Sequence, residues 1–360
     1  VLMVIMPTLS GMPVCIWDLN VRERQRAEIN PMQYGTIVHY ILERFFGEYT
    51  KEEYLSLEED KFQKIVCAYL TEYAVKYFGE EQLESNSFTY RLKTILDNVM
   101  YLMKHIMEEL SQSEFFVADC ELKIGEDIPS YTIVLPDGHK IAVCGSVDRV
   151  DIMQRADITY LRIIDYKTGT KQFKLSDILY GINLQMLLYL HSIEVSGGDK
   201  YGEIVPAGIL YMPATVPYIS SDSLKSIDKL PDELNKKLKM NGLLLKDTEI
   251  IHGMDKTDVA TYIPVKIKAG EPVSSTSLAT LAEFGKIFKK VDMLIAEMGK
   301  NIYNGNIEAK PLKGGHDSCE YCPYDSVCAY RQSNPITCFS VDNKTVIEEI
   351  TNEINGKEEE

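Results

Sequence analysis

Asp165 and Lys167 stand two positions apart at the end of the apolar run "LRIIDYKTGT". In an extended segment residues i and i+2 point the same way, so these two side chains share a face and Tyr166 takes the other. The extended stretch before it, "GSVDRVD", carries Asp148 seventeen residues earlier. That is room for a strand, a loop and a strand, and pairing them brings Asp148 and Asp165 together. Two close carboxylates repel, and a cation between them relieves the repulsion. Hard oxygen ligands favour Mg²⁺ or Mn²⁺. A lysine beside the pair can orient or deprotonate a water and offset charge in a phosphoryl-transfer transition state. The pattern suits metal-dependent phosphodiester hydrolysis. Taken alone, Asp-x-Lys reads more plainly as an ion pair at a strand end, since short motifs match by chance.

Three further residues bear on that choice. Gln185 and Tyr189, in "GINLQMLLYL", are four apart and share a helical face. Their helix follows the Asp165 strand directly, so the pair can look back at the acids. His39 sits in "YGTIVHYILE", on a mostly apolar helix, where a histidine is more often a packing residue than a ligand.

Elements of both kinds must position these residues. Residues 32–47 have helical apolar spacing with Gly47 as a stop, and residues 52–112 read as further helices. The period then changes. "FFVADCELKI" is extended, "YTIVLPDGHKIAVCGSVDRVDI" is a hairpin turning at Asp-Gly, and "TYLRIIDYKT" is the next strand. "LSDILYGINLQMLLYLHSIEV" reads as one amphipathic helix capped by Ser176 or Asp177, and "PAGILYMPA" as another strand. This order predicts an α/β core with a mixed sheet. We expect a helical part over 1–112, a core over 113–215, an irregular insertion over 216–275, a long helix and cysteine cluster over 276–335, and a frayed acidic tail over 336–360, all within one domain.

The chain has 360 residues, 45% hydrophobic and 26% charged, with a net charge of −16. The last twenty residues hold seven acids and two lysines, so the acidity is not confined to the tail. This argues against a broad basic surface but leaves room for a local basic groove or a metal-binding acidic pocket. No stretch approaches the roughly 18 apolar residues of a membrane span. The apolar start "VLMVIMPTLSGMPVCIW" lacks a basic lead-in, so no signal peptide is expected, and a cytoplasmic location follows. No Gly-x4-Gly-Lys-Ser/Thr is present, so a P-loop ATPase is not encoded in these residues.

There are eight cysteines, and without a secretory signal a disulfide framework is not the default. Cys67 and Cys144 lie in apolar stretches and read as core residues. Cys319, Cys322 and Cys328 have the spacing C-x2-C-x5-C, which suits zinc or an iron–sulfur cluster without choosing between them.

Taken together, "GTIVHYILE", "GSVDRVD", "IIDYKTG" and "GINLQMLLYL" resemble the RecB-type PD-(D/E)xK nucleases. The resemblance implies a restriction-endonuclease-like core and a DNA-cleaving exonuclease activity. It implies that His39, Asp148 and Asp165 bind the metal, that Lys167 is the base or water-positioning group, and that Gln185 and Tyr189 line the site. Val147 stands where the family name has proline. "NVRERQRAEINPMQYGTIVHYILE", "KMNGLLLKD" and "CEYCPYDSVC" extend the likeness, over about residues 18–332, to the nuclease domains of the AddB branch. That implies a helicase-like part upstream, an AddA-type helicase–nuclease partner, single-stranded DNA and duplex ends as ligands, and double-strand-break processing for recombination. It also implies a 4Fe–4S cluster on Cys319, Cys322 and Cys328 whose fourth cysteine lies far upstream. Cys15 is the only cysteine in that region, and residues 1–14 depart from the branch's usual pattern there. Cys338 falls outside the cluster.

Two other readings compete. One is a module that holds DNA without cutting it, and the other a structural domain that holds the partner. A stand-alone RecB-type exonuclease is a third, against which the size of the 216–310 segment argues. The acidic balance predicts weak affinity for single-stranded DNA that falls steeply with added salt. A tight, salt-insensitive complex in a titration at several salt concentrations would contradict this.

Overall fold

The computed structural model describes residues 29–169, 172–217, 230–274, 276–306, 308–320, 322–324, 328 and 335–358. Helices α1 (Pro31–Glu48), α2 (Lys51–Leu55), α3 (Glu59–Phe78), α4 (Glu80–Leu83) and α5 (Asn86–Gln112) come first. Strands β1 (Phe116–Ile124), β2 (Tyr131–Val134), β3 (Lys140–Val143), β4 (Gly145–Arg155) and β5 (Ile158–Lys167) follow. Then come α6 (Gln185–Ser196), α7 (Gly198–Tyr201), β6 (Glu203–Pro213), α8 (Leu230–Leu238), β7 (Asn241–Leu245) and α9 (Thr248–Met254). Short strands β8 (Lys266–Lys268), β9 (Glu271–Val273) and β10 (Leu278–Ala279) precede α10 (Leu281–Tyr303). The chain closes with β11 (Leu312–Gly314), β12 (Ile336–Cys338) and α11 (Asn343–Glu358).

The central sheet has the order β1-β4-β5-β6-β7-β10. The β1/β4, β4/β5 and β6/β7 pairs are antiparallel, whereas β5/β6 and β7/β10 are parallel. This is the expected mixed α/β core, and α6 is the crossover that a parallel β5/β6 pair requires. The β2/β3 hairpin also forms, as a separate two-stranded ladder turning at a left-handed Gly138.

Helix α1 starts where its caps dictate. Asn30 accepts from the Gln33 N–H at 2.8 Å, the Gln33 side chain accepts from the Asn30 N–H at 3.0 Å, and Pro31 occupies the first turn. The missing proline N–H costs nothing there. Ile37, Val38, Ile41, Leu42 and Phe45 form its buried stripe, and His39 lies half-buried at the stripe's margin. Helix α5 buries a similar stripe that includes one acid, Glu109, which is 0% exposed.

That acid belongs to a fully buried ionic cluster. Arg149 makes a two-pronged contact with Asp151 at 2.8 and 2.7 Å. Arg162 reaches Asp151 at 2.9 Å and Glu109 at 2.6 Å. Arg149 also reaches Glu109 at 3.2 Å and the Tyr166 hydroxyl at 3.3 Å. Two guanidinium groups thus balance two carboxylates. Burial pushes the Asp151 carboxyl up, but Arg149 and Arg162 outweigh it and hold the group below the usual carboxylate range. Arg149, Asp151, Arg162 and Tyr166 share one face of β4 and β5, and Asp148, Asp165 and Lys167 share the other, as period two demands.

Several expectations give way here. The helix expected over 175–195 is instead a 3-10 turn at Leu175–Tyr180, then left-handed Gly181 and Asn183, then α6. Neither Ser176 nor Asp177 caps a helix by its side chain. A Cβ at Gly181 would lie 2.9 Å from Met298 Cε at φ +70°, so the turn needs glycine. The break makes Gln185 the first residue of α6. Within the segment expected as an irregular insertion, the described residues 230–274 form α8, β7, α9, β8 and β9, and β7 extends the central sheet. Gly242 permits this, as a Cβ there would lie 2.0 Å from the Ile209 carbonyl oxygen. The tail is not frayed over 343–358: α11 buries Val346, Ile350 and Ile354 and packs on α10. Cys67 is exposed, out of phase with the buried stripe Phe62, Val66, Leu70 of α3, and Cys144 is only half-buried. Among the described residues no helix is long and apolar enough to cross a membrane.

Removing Glu109 leaves two buried guanidinium groups facing one carboxylate. Glu109→Ala should lower stability by about 3–5 kcal/mol, read as a shifted urea-unfolding midpoint. An unchanged midpoint would show the cluster to be dispensable.

Candidate active site

The register between β4 and β5 runs to Arg149↔Ile164 and stops. Asp148 is the next residue, and its Oδ2 accepts the Tyr166 N–H at 2.9 Å. A side chain thus takes a backbone donor that the ladder no longer serves, which pins the carboxylate at the strand end. On β5, Asp165 is 6% exposed. Lys167 Nζ lies 2.5 Å from its Oδ2 as an ion pair. Yet that buried oxygen accepts no hydrogen bond of good geometry from a described residue. The Lys167 ammonium is thus the group that balances this buried carboxylate. Lys167 also sits over the Tyr211 ring, 5.7 Å from its centroid.

His39 reaches the same place from α1. Its Nδ1 is 3.2 Å from Glu121 Oε1 and 3.7 Å from Asp148 Oδ2. The other Glu121 oxygen accepts from Ser146 Oγ at 2.9 Å. His39, Glu121 and Asp148 offer ligand atoms all within 4.8 Å of one another, the only such group of three or more His, Cys, Asp or Glu among the described residues. Sequence reasoning does not single out Glu121. It lies on β1 between the register pairs Cys120↔Arg149 and Leu122↔Val147, hence opposite Asp148. Its φ is +50°, a left-handed backbone inside a strand, which such surroundings must hold in place. Nothing in "VADCELKI" marks that acid apart from its neighbours, because the cross-strand register is what aims it.

Gln185 and Tyr189 do come together, with Gln185 Nε2 3.5 Å from the Tyr189 hydroxyl. Tyr189 is 3% exposed and occupies the space over Gly145, where a Cβ would lie 2.1 Å from its hydroxyl. The glycine of "GSVDRVD" is therefore a packing requirement of Tyr189. Burial raises the Tyr189 hydroxyl's pKa, and the charges of Asp148 and Asp165 add to it despite the Gln185 hydrogen bond. The tyrosine thus lies within the field of both acids.

The electrostatics describe a site short of positive charge. Burial pushes the Asp148 carboxyl up to about 7; His39 and the Tyr166 N–H pull it down, while Asp165 and Glu121 add to the rise. Burial disfavours the His39 imidazolium, but the Glu121 hydrogen bond and the charges of Asp148, Glu121 and Asp165 outweigh it and raise its pKa. The hydrogen bond from His39 holds Glu121 below the usual carboxylate range. The His39 imidazole and the Glu121 and Asp148 carboxylates form a donor set that fits a divalent cation; Asp165, paired with Lys167, lies outside that converging group.

An open groove of about 650 Å³ adjoins this group. His39, Glu121 and Ser146 line its inner end, and Tyr40, Tyr73 and Tyr77 its outer wall. The Tyr73 and Tyr77 ring centroids are 4.4 Å apart, and Tyr77 is half exposed. Tyr73 is buried and backs it, so Tyr77 is the exposed ring of this wall on which an unpaired base can stack.

Among the described residues of the cysteine segment, the Cys319 N–H bonds Asp317 Oδ1 at 2.8 Å, and the Cys328 N–H bonds the Tyr324 carbonyl at 2.8 Å. Cys319, Cys322 and Cys328 do not gather their thiols at the close spacing of a mononuclear zinc site. Cys15 lies outside the described residues.

A family model described as the PD-(D/E)XK nuclease superfamily matches residues 17–329. Among curated relatives, a protein of Thermoanaerobacter sp., named as a subunit of an ATP-dependent helicase/deoxyribonuclease, is 33% identical over 326 residues, covering 87% of this chain and 28% of the relative. Proteins named in the same way from Ruminiclostridium cellulolyticum and Alkaliphilus oremlandii are each 32% identical, covering 90% and 94% of this chain and 29% and 30% of theirs. The chain thus spans less than a third of the length of these relatives.

Cation and proton compete for the same oxygens. Below the raised Asp148 value the carboxyl is protonated and a cation must displace that proton, so Mn²⁺ affinity should rise between about pH 6 and 8 with proton release. Calorimetry in buffers of different ionisation enthalpy reads both quantities. Glu121→Gln should weaken binding about tenfold or more. A pH-independent affinity indifferent to Glu121 would place the cation elsewhere.

Proposed function

The chain belongs to the PD-(D/E)XK nuclease superfamily, and from that premise we propose that it is a divalent-cation-dependent deoxyribonuclease acting on single-stranded DNA. The observation that carries this reading is the convergence of an imidazole and two carboxylates, His39, Glu121 and Asp148, beside the buried Asp165–Lys167 ion pair. The relatives' names join a helicase to a deoxyribonuclease. We therefore place this domain in a helicase–nuclease complex with an AddA-type partner, processing double-strand breaks for recombination in the cytoplasm. The tyrosine-walled groove supports single strands over duplex, because only unpaired bases present faces for stacking.

The geometry supports the following roles. His39, Asp148 and Asp165 would hold Mg²⁺ or Mn²⁺, with Glu121 as a further donor. Such a cation, when bound, neutralises phosphate charge and acidifies water. Lys167 keeps its amine beside Asp165, where it can position the attacking water and donate to the phosphate oxygen that gains charge as the P–O bond breaks. Gln185, at the first turn of α6, and Tyr189, fixed over Gly145, orient the water and the scissile phosphate. A module that only holds DNA ends or a partner has no use for Asp148, Asp165 and Lys167 together.

We also place a 4Fe–4S cluster on Cys319, Cys322 and Cys328, with Cys15 as the fourth ligand. The spacing and the AddB-like "CEYCPYDSVC" support it. Its part would be to staple the C-terminal segment to the N-terminal one, and no step of cleavage passes through it.

Labelled single-stranded DNA with Mg²⁺ or Mn²⁺ tests the enzyme. Lys167→Ala should lower the cleavage rate by about 10²–10³ while circular dichroism stays that of the parent. Equal cutting by both, or none by either when both are folded, sinks the assignment and leaves a binding or structural domain.

A further inference from the structure

A second and larger groove, of about 1290 Å³, runs along the β7–β10 edge of the central sheet. Six lysines line it: Lys236, Lys239, Lys246, Lys266, Lys268 and Lys344. Only two acids do, Glu283 and Glu348, in a chain whose net charge is −16. Both acids are engaged. Glu283 closes the capping box of α10 with Thr280, and Glu348 lies 3.7 Å from Lys344. Lys239 donates to the Ala260 and Val265 carbonyls, and Lys236 pairs with Glu233. Lys246, Lys266 and Lys268 are exposed and form no ion pair among the described residues. Positive charge concentrated in one concave surface of an acidic protein marks the place where a polyanion is held against the general repulsion.

The sheet register ties the groove to the candidate active site. Asp165 is opposite Tyr211 on β6, and Tyr211 is opposite Asn241 on β7. Asn241 Oδ1 in turn accepts the N–H of Phe173, which follows the catalytic strand. Met240 and Lys239, the residues just before Asn241, line one end of the groove. That end is therefore level with Asp165 and two strands away, about 10 Å at ordinary strand spacing. The helices α10 and α11, which wall the groove, pack in the layer that contains α6, the carrier of Gln185 and Tyr189.

We propose that the β7–β10 groove is the track for the sugar–phosphate backbone of the single DNA strand, which Lys246, Lys266 and Lys268 hold as it passes toward Asp165 and Lys167. This rests on the nuclease reading and adds the binding surface that the acidic site itself does not supply. The hydroxyls of Ser274 and Thr276 in the lining suit phosphate oxygens.

The test uses the whole chain carrying Lys167→Ala, so that DNA survives, and a labelled oligodeoxythymidylate as the probe. Adding Lys246→Glu, Lys266→Glu and Lys268→Glu should weaken binding about tenfold or more and flatten the slope of log affinity against log salt by about 2, the release expected of three phosphate contacts on a single strand. Lys266→Gln with Lys268→Gln should move both quantities the same way by less, and serves should the triple variant not fold. Parent-like affinity and slope in the variants would overturn the proposal. So would displacement of the oligonucleotide by polyglutamate at equal charge, which would mark a dock for an acidic protein. Loss of DNA binding in the lysine variants of a chain that never cuts would fail the nuclease reading and keep the groove. Cleavage by the parent with lysine-independent binding would do the reverse.

Discussion

The alternation of β4 and β5 is the constraint on which the molecule depends. Each strand is charged on both faces, and the two faces have opposite requirements. On one, Arg149, Asp151 and Arg162 are fully buried with Glu109 of α5 and must neutralise one another. On the other, Asp148, Asp165 and Lys167 leave negative charge at a strand end. Slipping either strand by one residue would exchange the two sets between the faces and separate the buried guanidinium groups from their carboxylates. Buried ion pairs are not an efficient source of stability, because desolvation consumes much of their attraction. Their value here is register: only one alignment of α5, β4 and β5 satisfies four buried charges.

The same alignment prepares the site. Because the β4/β5 ladder ends at Arg149, the Tyr166 N–H is free to hold the Asp148 carboxylate. Because β1 pairs with β4, Glu121 arrives opposite Asp148, with its backbone held at φ +50°. His39 then partly offsets three acids. The result is a group of acids short of positive charge, with the Asp148 carboxyl raised by burial and by its acidic neighbours. A site built that way needs little rearrangement on loading, which is what electrostatic catalysis asks of its groups.

Charge is also segregated across the fold. The acids are widespread, while Lys246, Lys266 and Lys268, which form no ion pair among the described residues, gather at the far edge of the sheet. The C-terminal helix takes part in this, since Asn343, Lys344 and Ile347 line that groove while Val346, Ile350 and Ile354 anchor α11 to α10. An edge strand as short as β10 presents few free backbone groups, and the helices beside it turn the edge into a channel instead of a pairing surface.

What the sequence determined by itself was local. The side-chain period put Asp165 and Lys167 on one face, helical spacing put Gln185 beside Tyr189, and the change of period at residue 113 separated helices from sheet. The quoted motifs were enough to point to the nuclease family. Tertiary structure decided everything that required two distant segments to meet. Glu121 became part of the site through cross-strand register, invisible in a stretch where it is one acid among several. Gly145 proved to be the seat of Tyr189, and Gly242 the reason β7 can join the sheet. The apolar residues of 343–358 were too sparse to announce a helix until α10 supplied the surface that buries them. Cys67 looked interior because its neighbours are apolar, yet helical phase turned it outward. Local pattern is set by covalent geometry and is legible in order, whereas charge balance, burial and convergence depend on which surfaces the chain finally brings together.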